Sequence, residues 1–177
     1  MKVLLRPARR NDFERLWTLD QECFPPGIAY SRPELAAYMT AGQSFTLIAE
    51  LVPPVGPWPS GETPRLETSP SSRGEGRLGF LVAETCRRGI GHIITIDVAA
   101  GARRFGVGSK LLLAAEQKLR AARCRRVRLE AAVDNLAALS FYKRHQYDVV
   151  KTVPRYYSNG VDAFVFEKNL LSSGSPS

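Results

Sequence analysis

Two glycines between a predicted strand and a predicted helix restrict the folds open to this chain. Residues 103–108 read Arg-Arg-Phe-Gly-Val-Gly, after a strand pattern at 89–98 and at the start of a helix pattern at 106–124. Glycines let the backbone approach a ligand closely, and a helix N-terminus offers unpaired N–H groups and the positive end of the dipole. This order of elements predicts a cradle for a phosphate or pyrophosphate group.

The glycine loop differs from two other nucleotide-binding loops. No Gly-Lys followed by Ser or Thr closes it, which excludes a Walker A loop, and the spacing G-x-G-x-x-G is absent. A plain strand-to-helix turn that contains two glycines is the alternative at this stage.

Hydrophobic periodicity along the rest of the sequence predicts a single mixed α/β domain. Helices are expected to begin near residues 11, 31, 106 and 134, the last capped by Asp134. Residues 52–76 contain six Pro, four Gly and four Ser, which predicts a loop insertion in a domain of residues 1–171, with a disordered tail at 172–177. Strands are expected at residues 2–6, 44–51, 77–85, 89–98, 126–133, 147–153 and 163–167.

The composition excludes a collagen-like chain, a disulfide scaffold and a wholly disordered protein. Hydrophobic residues make up 44% of the chain and charged residues 24%, which is typical of a globular protein. The three cysteines lie far apart and only two histidines are present, so we expect no metal site and a reducing compartment, the cytoplasm. No apolar run is long enough to cross a membrane, and the N-terminal residues lack the pattern of a signal peptide.

The net charge of +8 is concentrated in one stretch of the chain. Residues 103–128 contain nine Lys and Arg but only one acid, Glu116, whereas the remaining residues carry equal numbers of both signs. Such a stretch favours a polyanionic partner, either a phosphate-rich cofactor or a nucleic acid. A solvated helix face is the alternative that needs no ligand.

Three motifs, in this order and spacing, resemble those of the GCN5-related N-acetyltransferase (GNAT) superfamily. They are Arg103-x-x-Gly106-x-Gly108, then Asn135 followed by Phe141-Tyr142, then Arg155-Tyr156-Tyr157. The last motif resembles the branch that acetylates protein N-termini, including the ribosomal-protein alanine acetyltransferases. The resemblance implies a central mixed, mostly antiparallel sheet of six to seven strands flanked by about four helices, with a cofactor cleft where two parallel strands splay.

The resemblance also implies which residues bind the cofactor, acetyl-CoA. Backbone groups of the strand around Ile96 would hold the pantetheine arm, and the glycine loop would hold the phosphates. Asp97 departs from the family pattern, and alternation turns its side chain away from Ile96, toward the acceptor amine or toward solvent. The full predicted set is Ile96, Asp97, Val98, Arg103, Arg104, Phe105, Gly106, Val107, Gly108, Ser109, Asn135 and Tyr142.

Two further residues match the catalytic positions of the family. Glu130, in an otherwise apolar strand segment, would act as the general base, and Tyr142 would protonate the leaving thiolate. Asn135 and Tyr142 are seven residues apart, so they share one helix face. The alternatives are a salt bridge from Glu130 to Arg128 or to another member of the basic stretch, with a water chain as the base, and a merely structural tyrosine.

The predicted activity is transfer of an acetyl group from acetyl-CoA to a primary amine by direct attack. The resemblance implies that Tyr156 and Tyr157 bind a protein N-terminus as the acceptor, while a small-molecule amine and a lysine side chain stay open. A non-catalytic module that binds nucleic acid or the ribosome through residues 103–128 is the alternative from another class. We expect no specific nucleic-acid binding and no membrane contact, and a monomer or homodimer.

Overall fold

The computed structural model describes residues 2–52 and 76–171, except for the side chains of Cys86 and Arg87. Nearly all of the predicted insertion at 52–76 and the whole predicted tail at 172–177 lie outside the described residues. Within the described part of the chain, no helix is both long enough and apolar enough to cross a membrane.

Seven strands and four α-helices follow the predicted order within these residues. The observed element boundaries differ from the predicted ones by only a few residues. The strands are β1 (Val3–Pro7), β2 (Ser44–Leu51), β3 (Arg77–Arg87), β4 (Ile90–Val98), β5 (Arg126–Ala132), β6 (Asp148–Val153) and β7 (Ala163–Asn169). The helices are α1 (Phe13–Cys23), α2 (Arg32–Thr40), α3 (Val107–Ala121) and α4 (Leu136–Arg144).

A seven-stranded sheet in the order β1-β2-β3-β4-β5-β7-β6 forms the centre of the molecule. Every neighbouring pair is antiparallel except β4 and β5, which are parallel. That pairing covers only three residues of each strand and ends at His92 and Arg128, so the later residues of both strands border a gap. The predicted mixed sheet with a cleft between two parallel strands is confirmed.

The helices cover both faces of the sheet. On one face, which we call the α3 face, α3 and α4 pack over the larger hydrophobic core, and Leu111, Leu112 and Ala115 are fully buried there. On the other face, the α1 face, α1 and α2 pack over a smaller core in which Leu16 and Leu35 are buried. Each face therefore has its own hydrophobic core.

One extra residue in β4 sets which face the later side chains of that strand occupy. Val82 of β3 pairs with Thr95, but the next residue of β3 pairs with Ile93, so Ile94 forms a bulge. Bulges redirect the strand and are common beside active sites. Residues that pair across a ladder point to the same face, and Val82 lies in the α1-face core, so Thr95 and Asp97 point toward α1.

The helix starts agree with the sequence in part. The helix predicted to begin near residue 31 is confirmed, and Ser31 and Glu34 form a capping box at the start of α2. The predicted cap of α4 at Asp134 is wrong, because the Asn135 N–H donates to the Ala132 carbonyl in a turn that moves the cap by one residue. The Asn135 Oδ1 then accepts the Ala138 N–H at 3.1 Å.

Candidate active site

A cavity of about 540 Å³ lies where β4 and β5 diverge. The volume is in the range of small-molecule and cofactor sites. Its walls come from β4, β5, α4, the glycine loop before α3 and the connection between α1 and α2. Among the residues predicted from the sequence, the cavity is lined by Ile96, Val98, Arg103, Arg104, Gly106, Val107, Gly108, Ser109, Glu130, Asn135, Tyr142 and Tyr157.

The glycine loop has the backbone geometry of an anion cradle. Gly106 immediately precedes α3 with a φ of +76°, a left-handed conformation that glycine adopts without strain. The first helical hydrogen bond runs from the Lys110 N–H to the Gly106 carbonyl, so the N–H groups of the first turn have no acceptor within the helix. A side chain at Gly108 would lie 3.4 Å from the Phe141 ring, so this glycine also permits close packing against α4.

Unlike its neighbours Arg104 and Gly106, Phe105 does not line the cavity. It was predicted to belong to the cofactor site, but its side chain is 63% exposed and lies outside the cavity lining. Only its backbone is available to a bound phosphate. Arg103, at the start of the loop, donates from Nε to the Val98 carbonyl at 3.0 Å and fixes the loop to the end of β4.

α4 brings Asn135 and Tyr142 to the cavity on one face, as the spacing predicts. The Asn135 carbonyl oxygen is used in capping, which leaves its amide N–H groups for a ligand. Tyr142 is buried, and its ring packs 5.8 Å from Tyr147 and 5.6 Å from Phe166. Burial, with a smaller contribution from the charge of Asp97, raises the pKa of the Tyr142 hydroxyl, which keeps its proton at neutral pH.

Glu130 lies on the opposite side of the sheet from these groups. Its neighbour Leu129 is buried in the α3-face core, so Glu130 points to the α1 face. There its Oε2 lies 2.6 Å from Nε2 of His92 on β4. The predicted alternative, a salt bridge to Arg128, is wrong because Arg128 donates to Glu167.

His92 is the partner that the sequence did not reveal. It lies in the last paired position of β4, next to Arg128, and therefore within reach of the residue two further along β5. Only the register between two strands far apart in sequence brings His92 to Glu130. Among the described residues, no group of three His, Cys, Asp or Glu is arranged to hold a metal ion.

Tyrosines form the wall around Glu130. Tyr156 and Tyr157 stack edge to face at 4.9 Å, and Tyr157 lines the cavity whereas Tyr156 is half-exposed and lies outside the cavity lining. Burial, then the negative charge of Glu130, raises the pKa of Tyr156 to about 12. Burial raises the pKa of Tyr157 further, with added contributions from Tyr156 and Glu130, so both phenols stay protonated beside the carboxylate.

Tyr30, in the connection between α1 and α2, also lines the cavity and was not predicted. Its hydroxyl donates to the carbonyl of Ile94, the bulge residue of β4, at 3.3 Å. Its backbone N–H donates to Asp20 at 2.8 Å, and its carbonyl accepts from Gln21 and Trp17. These bonds fix the connection against the free edge of β4.

Asp97 differs from both predicted orientations of its side chain. It is completely buried, so it does not face solvent, and it lies outside the cavity lining. The side chain points toward α1, where the Thr95 hydroxyl donates to one carboxyl oxygen at 3.1 Å. Burial, followed by the nearby charge of Asp20, raises the pKa of Asp97 well above its ordinary range.

Cys23, at the end of α1, is the thiol that lines the cavity. Its Sγ donates to the Val98 carbonyl at 3.5 Å. Burial, then the charge of Asp97, raises the pKa of Cys23 to about 11. A protonated thiol is a poor nucleophile, so the site favours direct transfer to an acceptor over a covalent thioester on the protein.

Comparison with known proteins agrees with this geometry. The model of the Acetyltransferase (GNAT) family matches residues 57–147. This chain belongs to the GNAT family. An uncharacterized N-acetyltransferase of Methanocaldococcus jannaschii is 33% identical over 103 residues, which cover 58% of this GNAT chain and 66% of that protein. An N-alpha-acetyltransferase of Sulfolobus acidocaldarius is 37% identical over 79 residues, covering 42% and 45% of the two chains.

The sequence matches are partial, whereas the structural match covers nearly the whole GNAT domain. The chain spans about half to two thirds of the length of these two relatives. The crystal structure of Ard1 from Thermoplasma volcanium superimposes with a TM-score of 0.75 at 21% identity, covering 96% of this chain and 98% of that one. The predicted family and fold are both confirmed.

Proposed function

We propose that this GNAT protein transfers the acetyl group of acetyl-CoA to the α-amino group of a protein N-terminus. One observation carries the proposal. A single cavity joins the glycine loop and Tyr142, on the α3 face, to Glu130 with its partner His92, on the α1 face. A donor bound from one face and an acceptor bound from the other would meet in the gap between β4 and β5.

The residues present fit acetyl-CoA. The glycine loop offers unpaired N–H groups for a pyrophosphate, and Arg103, Arg104 and Arg144 supply positive charge around the cavity. Beyond His92, β4 has no ladder partner in β5 among the described residues, so its backbone is available to the amides of the pantetheine arm. The Asn135 amide can donate to the same arm. When bound, acetyl-CoA supplies an activated thioester.

Glu130 prepares the acceptor. A primary amine must lose a proton before its nitrogen can attack a carbonyl carbon, and a carboxylate in the cleft can accept that proton. An α-amino group has a pKa of about 7.7–8.0, against about 10.4 for a lysine ammonium. Glu130 can therefore remove a proton more easily from a protein N-terminus than from a lysine side chain. The hydrogen bond from His92 fixes the carboxylate against the end of the strand pairing.

Tyr142 completes the proton balance. As the new C–N bond forms and the C–S bond breaks, the leaving sulfur gains a negative charge. The Tyr142 hydroxyl, which stays protonated because it is buried, would donate its proton to that sulfur. An N–H group on the free edge of β4 would stabilise the negative charge that develops on the carbonyl oxygen.

The acceptor side of the cavity favours a peptide. Tyr30 and Tyr157 line it from two different loops, and Phe24 and Ile28 add apolar contacts. Such a wall suits an extended chain whose first residue enters the cleft. The names of the relatives, which include N-alpha-acetyltransferase, support the same acceptor. We also propose that the enzyme works in the cytoplasm, where its separated cysteines stay reduced.

A peptide library with free N-termini and internal lysines tests the proposal. The enzyme is incubated with acetyl-CoA, and mass spectrometry locates each acetyl group. We expect modification of α-amino groups in the wild type and a large loss in Glu130→Gln. Acetylation confined to lysine side chains, or transfer only to small amines added to the same library, would contradict the proposed acceptor.

A further inference from the structure

The basic stretch at 103–128 divides into two groups at opposite ends of β4. Arg103 and Arg104 follow the C-terminal end of the strand, in the glycine loop. Arg123 and Arg125 lie beside its N-terminal end. Nine residues of strand at about 3.3 Å each place the two groups roughly 30 Å apart. The phosphates of a cofactor held by the glycine loop therefore cannot account for the second group.

Two turns meet at this second end of the sheet. The β3–β4 turn consists of Arg88 and Gly89, and the Gly89 carbonyl accepts the backbone N–H groups of Arg125 and Arg126 at 2.7 and 3.2 Å. Arg123 lies two residues before Arg125, directly after the end of α3. We call Arg88, Lys118, Arg123 and Arg125 the basic end; all four side chains are exposed.

The positive charge of the basic end is not balanced nearby. Glu116, the only acid of residues 103–128, is fully buried and is held by Lys168 and Tyr147. Glu167 pairs with Arg126 and Arg128. Among the described residues, no acidic side chain forms an ion pair with a member of the basic end. The guanidinium groups of Arg88, Arg123 and Arg125 therefore face solvent, whereas Nζ of Lys118 lies 5.5 Å from the centre of the Phe45 ring.

The backbone at two of these positions does not favour arginine. Arg88 and Arg123 have φ values of 58° and 63°, in the left-handed region where glycine is unstrained. Arg123 follows the last turn of α3, the position at which glycine usually ends a helix. The chain thus holds two exposed guanidinium groups at turns where a glycine would be conformationally easier.

We propose that the basic end binds the phosphate backbone of RNA without reading its sequence. Guanidinium groups form paired hydrogen bonds with phosphate oxygens, and several on one surface match the spaced charges of a nucleic-acid backbone. A lipid surface fits less well, because such binding needs exposed apolar side chains beside the charges. Here the apolar residues at the end of α3, Leu119 and Cys124, are buried in the core, and near Arg125 the single residue Leu171 exposes a large apolar side chain rather than a cluster of them.

Fluorescence anisotropy with a labelled single-stranded RNA of mixed sequence tests the proposal across a range of salt concentrations. The test variant combines Arg88→Gln, Arg123→Gln and Arg125→Gln. The matched control removes the same charge elsewhere, through Lys2→Gln, Arg10→Gln and Lys151→Gln, all at exposed positions. The melting temperature of each protein, measured alone, shows that it is folded, and single Arg125→Gln replaces the triple variant if that one is not.

We expect the triple variant to bind RNA at least about tenfold more weakly, with a salt slope lower by about 2, since each lost phosphate contact removes about 0.7 from the slope. The control should keep the wild-type slope, and saturating CoA should not displace the RNA. Equal losses in the two variants, displacement by CoA, or no binding by the wild type would overturn the proposal. Binding to phosphatidylserine vesicles through the same arginines, without binding to RNA, would also overturn the proposal. None of these readouts depends on acetyl transfer, so they are separate from the test of the proposed function.

Discussion

Oε2 of Glu130 lies 2.6 Å from Nε2 of His92, at the point where β4 and β5 stop pairing. The side chains are 16% and 35% exposed, so the pair is sheltered but still in contact with the cleft. A carboxylate in a strand would be costly if it had no partner. Here the histidine supplies that partner, and the end of the strand pairing supplies access to a substrate.

Glu130→Gln should lower kcat/KM by about 10²–10⁴-fold at pH 7, the usual contribution of a general base. Higher pH should partly restore the rate, because more of the acceptor amine is then already neutral. For an α-amino acceptor we expect recovery near pH 8–9, whereas a lysine acceptor would need a pH above about 10. Wild-type kcat/KM at pH 7 would contradict the role as base, and Glu167→Gln, outside the cavity, serves as the matched carboxylate control.

His92→Ala should reduce kcat by about 10–100-fold, the value of a hydrogen bond to a charged group, with little change in the affinity for CoA. If His92 acts through Glu130, adding His92→Ala to the Glu130→Gln variant should cause little further loss. Fully additive effects in the double variant would show that the two side chains act independently. His145→Ala is the control, since the His145 Nδ1 contacts the Phe141 carbonyl and lies outside the cavity lining.

Tyr142→Phe should lower kcat while the Kd for CoA stays nearly unchanged, because only the hydroxyl is removed. Loss of a general acid is worth about 10²–10⁴-fold. The buried hydroxyl keeps its proton well above neutral pH. Its deprotonation should therefore not appear in a pH–rate profile measured from about pH 6 to about pH 9. Tyr147→Phe gives the contrast: its hydroxyl donates to Glu116, outside the cavity, so stability should fall and kcat should not.

Gly106→Val should remove most of the thermal stabilisation that CoA gives. At about 100 times its Kd, CoA should add roughly 2.7 kcal/mol to the free energy of unfolding of the wild type. A β-branched residue at a φ of +76° distorts the loop and turns its N–H groups away from the phosphates. Gly42→Ala, at a glycine with ordinary φ and open space around it, should keep the full shift. An unchanged CoA shift in Gly106→Val would count against the cradle.

Local sequence signals predicted which residues of the glycine loop and α4 would lie together. The glycine loop and the spacing of Asn135 and Tyr142 depend on residues close together in the chain, and the structure brings them to one cavity. His92 and Tyr30 were missed because strand register and the bulge at Ile94 bring them to the site, and neither leaves a local pattern.

The alternation of side chains along a strand predicts the face to which each side chain points, but it does not predict what covers that face. It correctly turned Asp97 away from Ile96, yet it could not show that α1 covers that face and buries the carboxyl group completely. Gln146 shows a similar limit. The structure gives it a φ of 65°, in the left-handed turn that follows α4, although the residue type favours an ordinary conformation.

Asp20 should make the stability of the fold depend on pH between about 4 and 6. Burial raises its pKa from 3.8 to about 6, so in this window the folded protein binds more protons than the unfolded chain. The free energy of unfolding therefore decreases as pH rises through the window, by up to about 3 kcal/mol from this group, and stays at the lower value above it.

Asp20→Asn keeps an oxygen to accept the Tyr30 N–H but cannot ionise. Denaturant unfolding at several pH values should show a smaller decrease from pH 4 to 6 in the variant, and the variant should be the more stable protein at pH 7. The buried Asp97 has a raised pKa as well, and the charge of Asp20 contributes to it, so the difference between the two proteins reports Asp20 together with its effect on Asp97. Parallel stability curves for the two proteins would show that the Asp20 carboxyl titrates normally, and that Tyr30 is held without a buried charge.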